Sequence, residues 1–180
     1  MNARNLLTGM FLVIATVQGA IALSMSGTSS VTVLAHGPAG LRIEGKSSAV
    51  SLEEDASAVT FNVPLAPIDT GIELRNRHLR EMLQAEKFPA ATLRVSRSEV
   101  KFPEEREPAE GNARGDLTLH GQSRPVEVHY RAERSAAGIT KVHGSLQFDM
   151  RDFAIVRPSY LGVSVAPEVQ VDVDLTVEGM

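Results

Sequence analysis

Five histidines and a scatter of carboxylates are the side chains in this sequence that could do chemistry. Arg75 and His78 stand three apart in a segment of helical period, so they share a face and could clamp a carboxylate or a quinone oxygen. Asp69 and Thr70 precede them where a strand gives way to that helix. Their oxygens can accept backbone N–H groups at the bend, and Gly71 can adopt dihedrals other residues avoid. These four residues are the candidates for a headgroup or cavity-mouth position, with a structural role at the bend as the plainer reading. Asp116 and His120 bracket a strand in one phase, but residues four apart on a strand stand roughly 13 Å apart, too far to share a metal. His129 and His143 fall on polar phases, and His36 falls in a turn. No two histidines have ligand spacing with a third donor, so neither a metal nor a cofactor is expected.

Catalysis has no better footing. No serine sits in a Gly-Xaa-Ser-Xaa-Gly elbow, and no glycine-rich phosphate loop follows a strand. The chain has no cysteine, which removes thiolate nucleophiles, cysteine-bound zinc and disulfides. Asp172 and Asp174 share the polar face of a terminal strand, where solvent accounts for them. The expectation is a protein that is not an enzyme and that binds, if it binds, by burial.

The elements must then form a cavity. The 180 residues are 43% hydrophobic and 22% charged, enough for one domain with a single core. Aromatic residues make up 4%, with no Trp, and the net charge is -4; stacking platforms and nucleic-acid partners are excluded on those grounds. From residue 29 onward the hydrophobic period is two. It runs weakly through Val31, Val33 and Ala35, and clearly through Val59, Phe61, Val63 and Leu65. The strictest run is Val169 to Val177, opposed by Gln170, Asp172, Asp174, Thr176 and Glu178. One apolar and one polar face per strand is the signature of an antiparallel sheet or barrel. Turns are expected at 36–40, 53–55, 120–123 and 135–138, and Phe102 to Gly115 reads as an exposed loop. Ile72 to Ala85 breaks the pattern: Leu79, Met82 and Leu83 recur at helical spacing, and Phe88-Pro89 ends the helix. The fold class is therefore all-β, an antiparallel barrel of about eight strands with one inserted short helix. The shared apolar phase selects Phe61, Val63, Leu93, Val95, Leu119 and Val126 as lining residues on the earlier strands. On the later strands it selects Val128, Leu146, Phe148, Val171, Val173 and Leu175.

The N-terminus reads as a leader. Arg4 precedes an uncharged stretch from Leu6 to Leu23, and Ala20-Ile21-Ala22 offers small residues at a cleavage site. Residues 1–22 are assigned to a signal peptide and 25–180 to the barrel domain, with an uncleaved anchor as the rival. The expected location is periplasmic or secreted.

Several motifs, in order and at suitable spacing, carry a resemblance. They are Val63-Pro64-Leu65, Ile68-Asp69-Thr70-Gly71, Arg75-Asn76-Arg77-His78-Leu79, Lys87-Phe88-Pro89, Gly115 to Gly121, Arg124-Pro125-Val126 and Arg151-Asp152-Phe153. Over about residues 59 to 177 the chain resembles the YceI-like family, also described as polyisoprenoid-binding and lipocalin-like. The resemblance implies a lipocalin-like barrel that encloses a long chain, and binding, transport or storage of a polyisoprenoid or isoprenoid quinone without chemistry. Transient membrane contact and a homodimer are further expectations. The sequence departs from the family at Asn76, where Asp is usual, in a shorter stretch between Leu79 and Phe88, and in its lack of N-terminal Phe residues. The alternative function is a ligand-free envelope interaction or stress-protective module whose barrel is filled by side chains.

Overall fold

A computed structural model describes residues 24–104, 107–160 and 163–178; the expected leader lies outside the described residues. The strands are β1 (Ser24–Met25), β2 (Ser30–His36), β3 (Arg42–Ser47), β4 (Ser51–Glu54), β5 (Ala58–Pro64) and β6 (Ala90–Ser96). They continue as β7 (Ala109–Leu119), β8 (Gln122–Arg134), β9 (Ile139–Asp149), β10 (Ser159–Tyr160), β11 (Val163–Ser164) and β12 (Glu168–Glu178). One α-helix, α1 (Glu73–Met82), joins β5 to β6. Among the described residues no helix is long and apolar enough to cross a membrane.

The strict alternation of β12 places it centrally. One edge pairs with β9 from Glu168↔Asp149 to Glu178↔Ile139. The other pairs with β2 from Val169↔Ala35 to Asp174↔Ser30, and β1 takes the remaining end. Val171 thus sits between Val33 and Leu146, so the apolar phases of three strands meet on one face. A slip of one residue would turn every one of those side chains to water, which is why the register is firm.

The antiparallel order runs β3-β2-β12-β9-β8-β7-β6-β5-β4. β3 and β4 stand at opposite ends of it, yet only residues 48–50 separate them, so the run 42–54 wraps the sheet onto itself as a barrel. Taking β3 and β4 as one bent strand and setting aside β1 and the separate β10–β11 pair leaves eight, the number the alternation predicts. The edge of β3 beyond the bend is covered by the chain entering α1. Lys46 and Asp69 exchange both backbone hydrogen bonds at 2.8 Å. Gly45 makes this approach possible, because a Cβ there would lie 2.8 Å from Ile68 Cγ2.

One expectation needs correction. The segment 102–115 is not a loop throughout: Ala109–Gly115 belong to β7, with Ala113 and Gly115 buried. The inward positions there are Ala109, Gly111, Ala113 and Gly115, too small to register as an apolar period beside Glu110 and Arg114. Gly115 has to be small, since a Cβ would fall 2.9 Å from both Arg94 O and Val95 Cγ2. His120 sits in the β7–β8 turn expected at 120–123, at φ 52, followed by Gly121 at φ 73. Positive φ at both central residues is the twist a two-residue hairpin needs.

The hydrophobic core is densest at the α1 end. Leu65, Ile68 and Leu83 meet Leu119, Met150 and Phe153 there, and the Phe153 ring stands edge-on to Phe148 with centroids 5.2 Å apart. The helical turn Met150–Phe153 is capped by Asp149, whose carboxylate accepts the Arg151 N–H at 2.8 Å.

Candidate functional site

The barrel encloses a cavity of about 800 Å³ whose wall is built mainly from the inward side chains of β2, β5, β6, β7, β8, β9 and β12. Phe61, Val63, Leu93 and Leu119 stand on it, as do Val128, Leu146, Phe148, Val171, Val173 and Leu175. Two expected lining residues do not. Val95 points inward but is 3% exposed and packed beneath Gly115, whose missing side chain its methyl replaces. Val126 lies beyond the last β8–β9 pair, Val128↔Leu146, where Met150–Phe153 packs on β8 and covers it. Leu117 and Tyr130 also reach the wall. Alternation gave no signal for Ile155 to Ser159, which reach it from a connection without period.

The four mouth candidates divide. Thr70, Arg75 and His78 stand on the wall; Asp69 does not. Asp69 instead holds the bend: its Oδ1 accepts the Gly71 N–H at 2.9 Å and the Asn76 Nδ2–H at 2.8 Å. Those donations, the Asn76 amide first, keep its carboxyl below the ordinary range against a smaller opposing effect of burial. The organiser is Asn76, which sequence reasoning passed over as a departure from the family pattern. It is 7% exposed, and its Oδ1 accepts both the Thr70 N–H (2.8 Å) and the Thr70 hydroxyl (2.6 Å). An amide serves here where a carboxylate would lack the donor that reaches Asp69. This network fixes the start of α1 and so aims Arg75, His78, Leu79 and Met82 at the cavity.

Three of the other histidines are occupied elsewhere. His120 Nδ1 lies 3.0 Å from the Phe153 carbonyl, and its ring meets Phe88 edge-on. His143 Nδ1 is 2.9 Å from Asp174, and His129 Nδ1 is 2.5 Å from Asn112, both on the outer surface. Among the described residues no cluster of His, Asp or Glu could hold a metal ion.

Comparison with known proteins places this geometry. A UPF0312 protein of Vibrio cholerae (strain ATCC 39315 / El Tor Inaba N16961) is 30% identical over 134 residues, or 69% of this chain. The match spans 64% of that relative's length. A solved polyisoprenoid binding domain from Saccharophagus degradans, implicated in plant cell wall breakdown, superposes with a TM-score of 0.75 at 18% identity. It covers 89% of this chain and 99% of its own. Burkholderia cenocepacia BcnA superposes with a TM-score of 0.65 at 19% identity, over 82% of this chain and 95% of its own. At such identities the two structures speak to the fold: the same curled antiparallel barrel with its helix. The profile of the YceI-like domain matches residues 14–177, from before the first described strand to within β12, and the chain therefore belongs to the YceI-like family.

Proposed function

We propose that this protein binds the tail of an isoprenoid-like lipid inside its barrel and carries or stores it without transforming it. The observation that carries this reading is the size and character of the cavity, about 800 Å³ behind a wall of aliphatic side chains. A barrel filled by its own side chains would have no such space. An apolar void forfeits packing at roughly 24 cal/mol per Å³. Filled only by water through its open side, this one lacks those contacts along its apolar wall. A tail that fills it recovers those contacts and gains about 25 cal/mol per Å² of apolar surface withdrawn from water. The polyisoprenoid-binding character of the Saccharophagus degradans domain supports the same class of ligand.

The reading extends to how the lipid arrives. Among the described residues the exposed large hydrophobic side chains are Leu41, Ile72, Leu74 and Val156, which lie in α1 and the connections at its end of the barrel. Val156 is 82% exposed. Backbone hydrogen bonds from Val165 to Pro158 and from Ala166 to His36 link Pro158 to the loop that carries Leu41. These apolar side chains at one end of the barrel suit brief contact with a membrane that supplies the lipid, and a leader over residues 1–22 would deliver the protein to an exported compartment. Native mass spectrometry of the protein incubated with polyprenol-containing vesicles tests the reading. A bound species displaced only by unfolding is expected; the bare polypeptide mass after incubation would sink it.

A further inference from the structure

We infer that Gly144 sets the length of tail the barrel accepts. Its missing side chain leaves a passage through which the far end of the tail reaches the floor of the lumen, and Tyr130 is held aside to keep that passage clear. The inference rests on the carrier reading above and names the specificity-determining residue of that same site.

Gly144 lies inside β9, an 11-residue strand, where a glycine weakens the sheet and packs against nothing. The fold does not ask for it. Its φ is not positive, and a Cβ there would meet only His129 O at 3.9 Å and Val128 Cγ1 at 4.0 Å, both ordinary contacts. Every other described glycine either has a positive φ or would bring a Cβ within 3.4 Å of a neighbour. Gly144 is thus the one described glycine that neither backbone nor neighbour requires, and it stands on the cavity wall.

Strand register gives its depth. Gly144 lies between Tyr130 of β8 and Val173 of β12, with Val31 of β2 beyond. β5 to β9 pair antiparallel in sequence order, so β9 runs toward the α1 end, and stepping back along it from Gly144 leads away from the helix. The next inward pair, Val142 and Leu175, still lines the cavity. The pair after that, Thr140 and Val177, is 0% and 2% exposed and closes the floor, with buried Ala132 beside Val142. The row of Gly144 is therefore the last that a tail passes before its end reaches Val142 and Leu175.

Tyr130 is the bulky member of that row, and it is turned the other way. Its second neighbour is Gly111 of β7, and the ring lies over that glycine: a Cβ there would fall 3.4 Å from the phenol oxygen and 3.6 Å from Cε1. The Lys101 N–H donates to the phenol oxygen at 2.7 Å and holds the ring on the β7 side. No atom of Tyr130 or Val173 comes within 4 Å of the Cβ position at Gly144. A valine or isoleucine at 144 would project between them into the lumen and block the passage. The sheet itself would accept either, since β-branched side chains suit strands.

The test compares farnesol with a six-unit polyprenol by competition binding to wild type and to Gly144→Ala, Gly144→Val and Gly144→Ile. The fifteen carbons of farnesol take up roughly half of the cavity of about 800 Å³, so its affinity should be the same in every variant. Isoleucine adds four carbons, about 100 Å³ at a density of 25 Å³ per carbon, close to one isoprene unit. Affinity for the six-unit polyprenol should fall in steps with side-chain size, by about tenfold in Gly144→Ile. The melting temperature of each ligand-free variant should stay at or above that of wild type. Tyr130→Phe, which releases the ring from Lys101, should also weaken six-unit binding and spare farnesol; unchanged six-unit binding there would strike the ring from the account. Unchanged six-unit affinity in the folded Gly144 variants, or equal loss of both ligands, would overturn the inference and leave the carrier reading intact. A melting temperature lowered already in Gly144→Ala would assign the glycine to the fold and overturn it. Failure of wild type to bind either alcohol would remove both readings.

Discussion

The cavity sets a limit on tail length that can be calculated. A 150 Å³ apolar cavity accommodates benzene, roughly 25 Å³ per carbon. At that density about 800 Å³ holds on the order of 30 carbons, or about six five-carbon units. Each unit inside should add about 1.5 kcal/mol at ~0.3 kcal/mol per non-hydrogen atom, close to a factor of ten in affinity. Affinity for polyprenols should thus climb steeply with tail length and flatten near six units, as further units remain outside. Substitution should move that break. Val173 lies between Val31 and Gly144, and Val128 between Ala113 and Leu146, so each has a small neighbour that leaves room for a larger ring. Val173→Trp or Val128→Trp adds about seven side-chain atoms, space for one to two units at ~25 Å³ per carbon. The plateau should fall to about five units or fewer, with the barrel still folded by far-ultraviolet circular dichroism. Competition binding across three to ten units measures the break. Affinity that keeps rising to ten units, or a break that stays at the same length in both folded variants, would refute the reasoning.

Three further outcomes follow from the surrounding framework. Asn76→Ala removes the acceptor for the Thr70 N–H and hydroxyl in a buried site, which should cost about 2–3 kcal/mol. Thermal unfolding should then shift down by roughly 5–10 °C, whereas a shift under about 2 °C would show that Thr70 finds another partner. Asp55, Asp69 and Asp149 all have carboxyls held below their ordinary range, chiefly by the Ser57 hydroxyl, the Asn76 amide and Arg151 respectively. Because the folded values are depressed, their stabilisation is complete above the unfolded value of about 3.9 and is lost as pH falls through the folded values. Melting temperature should decline below about pH 4, less steeply in Asp55→Asn; an unchanged slope in that variant would remove Asp55 from the explanation. Gly121→Ala should lower stability more than Gly138→Ala. Both have positive φ, but a Cβ at Gly121 would lie 2.6 Å from the Phe88 ring while Gly138 has nothing within 4 Å. Equal melting temperatures for the two variants would show that the ring yields freely.

The barrel was legible wherever large apolar residues alternate. Val169 to Val177 announce β12 because every inward position is Val or Leu, and the same holds for Phe61 and Val63 on β5. The period failed in the first part of β7, residues 109–115, where the wall comes close to its neighbours and the inward positions are Ala and Gly. Phase alone also cannot tell a cavity wall from a packed end. Val95 and Leu93 share a face of β6, but only Leu93 reaches the lumen, because Gly115 lets the sheets close over Val95. Arg75 and His78 could be paired from helical spacing. Arg157 could not, since its place on the wall depends on the hydrogen bonds of Val165 to Pro158 and of Ala166 to His36. Asn76 was visible in the sequence, yet its role requires the bend at Gly71 that brings Asp69 and Thr70 within reach of one amide.

The claim that a lipid tail lies inside the barrel is tested most directly by isotope-filtered nuclear Overhauser effects between an unlabelled farnesyl tail and the ¹³C-labelled methyl groups of the protein. Contacts to Leu93, Val128, Leu146 and Val173, on opposite walls of the lumen, are predicted. Contacts confined to Leu41, Leu74 and Val156 on the outer rim would contradict the account.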